Sequence, residues 1–140
     1  MNKTRIFLLS FAILSVILLS TGLFFYVKYG TKTNNDDNIT VLAIIDYGTL
    51  KPDDYEDYNV STTKGNSALQ VFNEIATLSL VNYSFGVYVK GVNGYTEQFP
   101  NYWAFYYYNH EHQAWSYSEV GISNYYVEDG DRIKLMYTSQ

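Results

Sequence analysis

The stretch that decides the fold is Tyr102-Trp103-Ala104-Phe105-Tyr106-Tyr107-Tyr108-Asn109, in which seven of the eight residues are apolar or aromatic. So rich a run does not belong in a surface loop, and aromatic side chains suit a pleated, half-buried surface, so it predicts a strand. Alternate residues of a strand point to opposite faces. One face carries Trp103, Phe105 and Tyr107; the other carries Tyr102, Ala104, Tyr106 and Tyr108. Both are bulky, so one can fill a core while the other meets a helix, a neighbour or a ligand. Asn109-His110-Glu111-His112 breaks the pattern as a hairpin turn does, and Ala114 to Tyr117 returns with Trp115 and Tyr117 on one face.

Toward the N-terminus, Gly91-Val92-Asn93-Gly94 is a hairpin signal, and the alternation of Tyr83 to Val89 predicts a strand before it. Ala68 to Ser79 places Leu69, Phe72, Ile75 and Ala76 on one helical face, with Asn66 or Ser67 available to accept a bond from a free backbone N–H at its start. Further upstream, Asn59 to Thr62 reads as a short strand, Tyr47 to Tyr58 as a loop, and the β-branched run Ile39 to Asp46 as a first strand. Toward the C-terminus, Glu119 to Asn124 is a loop, Tyr125 to Glu128 is extended, Asp129-Gly130 turns, and Arg132 to Tyr137 is a last strand. Strands around a single helix predict an α+β domain over residues 39–140, a β-grasp-like sheet with the helix packed on one face.

The first residues are of another kind. Residues 1–5 are a short tail, and Ile6 to Val27 is a run of 22 residues without a charge, flanked by Lys3 and Arg5 before and Lys28 and Lys32 after. About 20 apolar residues cross a bilayer as a helix. The run is longer than the apolar part of a cleaved signal, and cleavage after Ser20-Thr21-Gly22 would leave a greasy Leu23-Phe24-Phe25-Tyr26 terminus, so residues 6–27 read as an uncleaved transmembrane signal anchor. The chain has no cysteine, which excludes a lipoprotein anchor. The flanking charges nearly tie under the positive-inside rule; the short tail favours a single-pass protein of the cell membrane with its C-terminal domain extracytoplasmic. Residues 28–38 read as a polar linker. From Ile39 onward five basic residues face twelve acidic ones, a balance of −7 that repels nucleic acid, so no nucleic-acid partner is expected.

Several short motifs, taken in order, resemble the transcobalamin C-terminal-like domain: Gly65-Asn66-Ser67-Ala68-Leu69-Gln70-Val71-Phe72, Gly86-Val87-Tyr88-Val89, Val92-Asn93-Gly94, Trp103 with Tyr107-Tyr108-Asn109, and Val127-Glu128-Asp129-Gly130-Asp131-Arg132-Ile133. The resemblance runs from about Ile39 to Thr138. It implies a β-grasp-like fold, and it makes cobalamin the implied cofactor. In cobalamin carriers of this family the corrinoid lies between this domain and a large helical domain, for which these 140 residues have no room. This chain also has Asn109-His110 where the family often has Asn-Gly. Free-standing anchored members are surface proteins.

Candidate sites follow from residue type. Tyr102, Tyr106, Tyr108, Trp115 and Tyr117 offer flat rings to a ligand, since a contiguous exposed aromatic patch marks an interaction site, while Trp103, Phe105 and Tyr107 read as core. His110 and His112 with Glu111 supply too few ligands for a metal and read as a solvated turn. Asp53-Asp54-Tyr55-Glu56-Asp57 lacks the spacing of a calcium loop and reads as a solubilising loop. Asn38, Asn59 and Asn82 begin Asn-x-Ser/Thr sequons and are candidate glycan acceptors. No metal site and no catalytic arrangement is predicted. The expected function is a membrane-anchored binding module engaging a surface protein, a glycan or a flat cofactor, rather than an enzyme. A corrinoid-binding surface protein and a structural subunit of a cell-surface assembly are the alternatives.

Overall fold

A computed structural model describes residues 37–139, and the predicted tail, anchor and most of the linker lie outside them. Among the described residues no helix is long and apolar enough to cross a membrane. The order of elements is β1 (Asn38–Asp46), β2 (Tyr55–Thr63), α1 (Ala68–Ile75), β3 (Leu78–Tyr83), β4 (Gly86–Val92), β5 (Tyr95–Thr96), β6 (Asn101–Asn109), β7 (Ala114–Tyr117) and β8 (Arg132–Ser139). They form an α+β arrangement of two sheets and one helix. The larger sheet runs β2-β1-β8-β6-β7, and the smaller β3-β4-β5. At the centre β1 and β8 are parallel, while β1–β2, β6–β8 and β6–β7 are antiparallel.

Alternation sets the two faces of the larger sheet. Ile39, Val41, Ala43 and Ile45 of β1, Ile133, Leu135 and Tyr137 of β8, and Trp103 and Phe105 of β6 are buried. They pack with Ala68, Val71 and Phe72 of α1 and with Val89 and Val92 of β4. Phe72 meets Phe105 edge-on at 6.5 Å, and Trp103 meets Tyr137 and Tyr47 edge-on at 5.3 and 5.9 Å. The Trp103 indole N–H donates to the Tyr95 carbonyl at 2.8 Å, which fastens β5 to β6.

Several expectations are corrected. The helix ends at Ile75 rather than Ser79, because Ala76 is already extended and Leu78 starts β3. At its start Ser67 is the N-cap, as expected, in a capping box with Gln70: the Ser67 N–H and Oγ–H donate to Gln70 Oε1 at 2.8 and 3.2 Å, while Asn66 turns its amide to Thr62. The free N–H groups of Ala68 and Leu69 donate to the carbonyls of Tyr125 and Ile122 in a distant loop, so tertiary structure caps the helix. The run Tyr83 to Val89 is broken by a turn at Ser84-Phe85 into β3 and β4, which creates the second sheet. The loop predicted to Tyr58 stops earlier, since β2 begins at Tyr55. Within the acidic cluster Glu56 therefore lies in a strand, where it accepts from the Tyr47 and Tyr58 hydroxyls at 3.2 and 2.7 Å.

Candidate functional site

The face of the larger sheet away from α1 carries the even-numbered residues of β6. Tyr106 lies opposite Tyr117, and Tyr108 opposite Trp115, in the β6–β7 register. The two pairs meet edge-on, at 5.7 and 5.5 Å between ring centroids. β8 adds two cations to this ladder. The Arg132 guanidinium lies 4.2 Å from the Tyr108 ring centroid and 5.5 Å from that of Trp115. The Lys134 ammonium is 4.8 Å from Trp115, 5.6 Å from Tyr106 and 3.6 Å from the Asp46 carboxylate. Cations over aromatic faces are attracted by the ring quadrupole, so the rings and cations hold one another in place. Burial, with Tyr102 and Tyr117 nearby, pushes the Tyr106 hydroxyl above its ordinary range, so it remains a donor.

Tyr102 points the same way but stands apart from that cluster. β7 pairs only with residues 106–109 of β6, so the other half of β6 has an open edge where β4 approaches. There Tyr102 joins Tyr88, Lys90, Glu97, Phe99, Pro100 and Asn101 around a concavity of about 660 Å³. The Tyr88 hydroxyl donates to Glu97, and burial followed by that bond raises its pKa. Gln98 and Asn101 exchange backbone bonds across a tight turn, which holds Phe99 completely exposed at its tip. Tyr83 and Phe85 extend the surface beyond Tyr88; their exposed rings stack at 5.2 Å with planes 2° apart.

Five predicted aromatics are thus divided: Tyr106, Tyr108, Trp115 and Tyr117 come together, and Tyr102 belongs to the neighbouring concavity. Tyr83, Phe85, Tyr88 and Phe99 were missed. Phe85 and Phe99 lie at turns, where strand alternation says nothing, and Tyr83 and Tyr88 flank the Ser84-Phe85 turn on β3 and β4. Trp103 and Phe105 are buried as expected, whereas Tyr107, expected in the core with them, is only half-buried and packs on Tyr125 at 5.8 Å. His110 to Gln113 form the turn, with Asn109 Oδ1 accepting from the N–H groups of Glu111 and His112 at 2.9 and 3.0 Å. The two histidines therefore do not lie on a strand. Among the described residues no group of three or more His, Cys, Asp or Glu could hold a metal ion. Asn38, Asn59 and Asn82 are all exposed.

With the geometry in view, comparison with known proteins is informative about architecture. No protein-family model and no curated protein matches the sequence. Among solved structures, haptocorrin in complex with cobinamide is similar, at a TM-score of 0.60 and 16% identity over 77% of this chain. The chain spans only 27% of the length of haptocorrin, a member of the transcobalamin family. A candidate metal-binding protein from Ruminococcus gnavus ATCC 29149 is also similar, with a TM-score of 0.55, 11% identity, and coverage of 73% of this chain and 98% of its own. The likeness is one of fold. It agrees with the transcobalamin-type resemblance of the sequence at that level, and it assigns neither ligand nor partner to this chain.

Proposed function

We propose that this chain is a single-pass, membrane-anchored binding module. A β-grasp-like domain on the extracytoplasmic side would engage its ligand through surface aromatics. The observation that carries the reading is the pair of neighbouring aromatic groups on one side of β6: Trp115, Tyr108, Tyr106 and Tyr117 in a ladder, and Tyr102, Tyr88 and Phe99 around a concavity. Tyr117 and Phe99 are exposed and the other rings half-buried, and aromatic area left in water on one face favours a surface that something covers. Binding rather than catalysis is the reading because the polar groups beside the rings are structural donors and ion pairs, with no nucleophile held against a base among the described residues.

A second reading, corrinoid binding, is favoured by the likeness to haptocorrin, which was solved with cobinamide. Both are tested by titrating the chain with cobinamide, cobalamin and a set of neutral and acidic oligosaccharides, following Trp115 and Trp103 fluorescence with inner-filter correction. Saturable quenching by a corrinoid, weakened by Tyr106→Ala or Tyr102→Ala with the fold kept, supports the cofactor reading. Saturation by an oligosaccharide instead supports a glycan receptor. A flat response to every probe, with oligomers that grow with concentration, would transfer the aromatic surface to a subunit contact.

A further inference from the structure

We infer that the outer face of β6, β7 and β8 takes a carboxylated sugar, a uronate or sialate unit of a glycan, with the Arg132 guanidinium as partner of its carboxylate. This rests on the reading of the aromatic surface as a ligand-binding one and names the ligand class for its cation-bearing end. The domain is acidic overall, with five basic residues against twelve acidic ones from Ile39 onward, yet β8 sets Arg132 and Lys134 two residues apart on this face. Their circumstances differ. Lys134 has the Asp46 carboxylate at 3.6 Å. Among the described residues Arg132 makes no salt bridge, and its Nε is buried without a hydrogen-bond partner.

A buried donor with no acceptor from the protein is uncommon in a folded chain and favours a polar partner from outside it. The carboxylates nearest in the fold are committed elsewhere. Asp129 Oδ1 accepts from the Thr40 N–H at 2.8 Å, and Asp131 Oδ2 accepts from the Glu128 N–H at 2.9 Å and the Tyr125 hydroxyl at 3.3 Å. Both line a second concavity, of about 450 Å³, on the side of Arg132 that also carries Thr40, Leu42 and Asn59. Their charge steers an incoming acid to the other side, over Tyr108 and Trp115.

There the guanidinium already lies over the Tyr108 ring at 4.2 Å, which positions it, and its terminal nitrogens suit the two-pronged bond that a carboxylate accepts. The surroundings suit a sugar ring. Tyr117, 57% exposed, offers a face for its C–H groups, and the Tyr106 and Tyr108 hydroxyls can meet its hydroxyls. An acidic peptide fits less well, because one unpaired cation gives little purchase and β7, the sheet edge beside it, is only four residues long.

The test is isothermal titration of the full-length chain in detergent micelles with tetragalacturonate and with sialyllactose, each beside its carboxyl methyl ester, and with a glutamate octapeptide. At least one acid should bind roughly tenfold or more tightly than its ester, and Arg132→Gln should abolish that preference while Lys64→Gln does not. Arg132→Lys, which keeps the charge and the stem, should lose most of the preference and guards against a folding defect in the glutamine variant. Equal binding of acid and ester would overturn the carboxylate assignment while leaving the aromatic surface a glycan site. Acid preference unchanged in Arg132→Lys and Arg132→Gln, tighter binding of the octapeptide, or no binding of either acid would each overturn it as well.

Discussion

At Gly48 the backbone is left-handed, with φ +49°, and a Cβ there would fall on the carbonyl oxygen of Tyr137 in β8. Gly130, φ +83°, has the same handedness but open space around it. The two glycines therefore separate backbone strain from collision. Gly130→Ala should cost about 1 kcal/mol, the ordinary penalty of a side chain in that region. Gly48→Ala should cost about 2–3 kcal/mol, because a central strand has to move. Urea denaturation of the two variants checks this; equal costs would mean that the β1–β2 turn yields more easily than its contact with β8 implies. Single residues also show what could be read in advance. The alternation around Trp103 identified its buried face because a nine-residue strand repeats the signal. Arg132 gave none, since its significance comes from what fails to stand near it.

Elements were legible where hydrophobic alternation ran without interruption, as in β1, β6 and β8. They were not where one side of a strand is wet. In β2 only Val60 and Thr62 are buried, so Tyr55 to Tyr58 reads as a loop although it pairs along β1 to Asp46. The turn at Ser84-Phe85 was hidden because Phe85 continues an apolar pattern while being exposed. The second sheet was lost with it, and so was the concavity that Tyr88 helps to form. The helix was found by its period, but its start depends on Gln70, whose Oε1 holds both the N–H and the hydroxyl of the buried Ser67. Gln70→Ala should therefore destabilise the domain by about 1 kcal/mol, whereas the same change at exposed Asn73, which makes no such bond, should stay within about 0.5 kcal/mol. Thermal unfolding of both variants distinguishes a cap from ordinary helix propensity.

For the whole molecule the abundance of tyrosine has a consequence in alkali. Burial pushes Tyr125 up to about 12, with the Asp131 carboxylate adding to the effect. Tyr47, Tyr88 and Tyr106 are also raised from 10.0, chiefly by burial. A phenol with a raised folded pKa keeps its full contribution to stability below the unfolded value and loses it as pH climbs through the folded one. Stability should hold to about pH 10 and then fall toward pH 12, and Tyr125→Phe should make that fall shallower. Denaturation curves taken across this range decide it, a flat profile being the adverse outcome. The topology also bears on timing. β8 stands between β1 and β6, so the hairpins β1–β2 and β6–β7 have no sheet in common until residues 132–139 arrive. Synthesis in the N-to-C direction thus leaves the molecule unsealed until its closing strand emerges, the condition under which a polypeptide can still be threaded through a narrow channel before it folds.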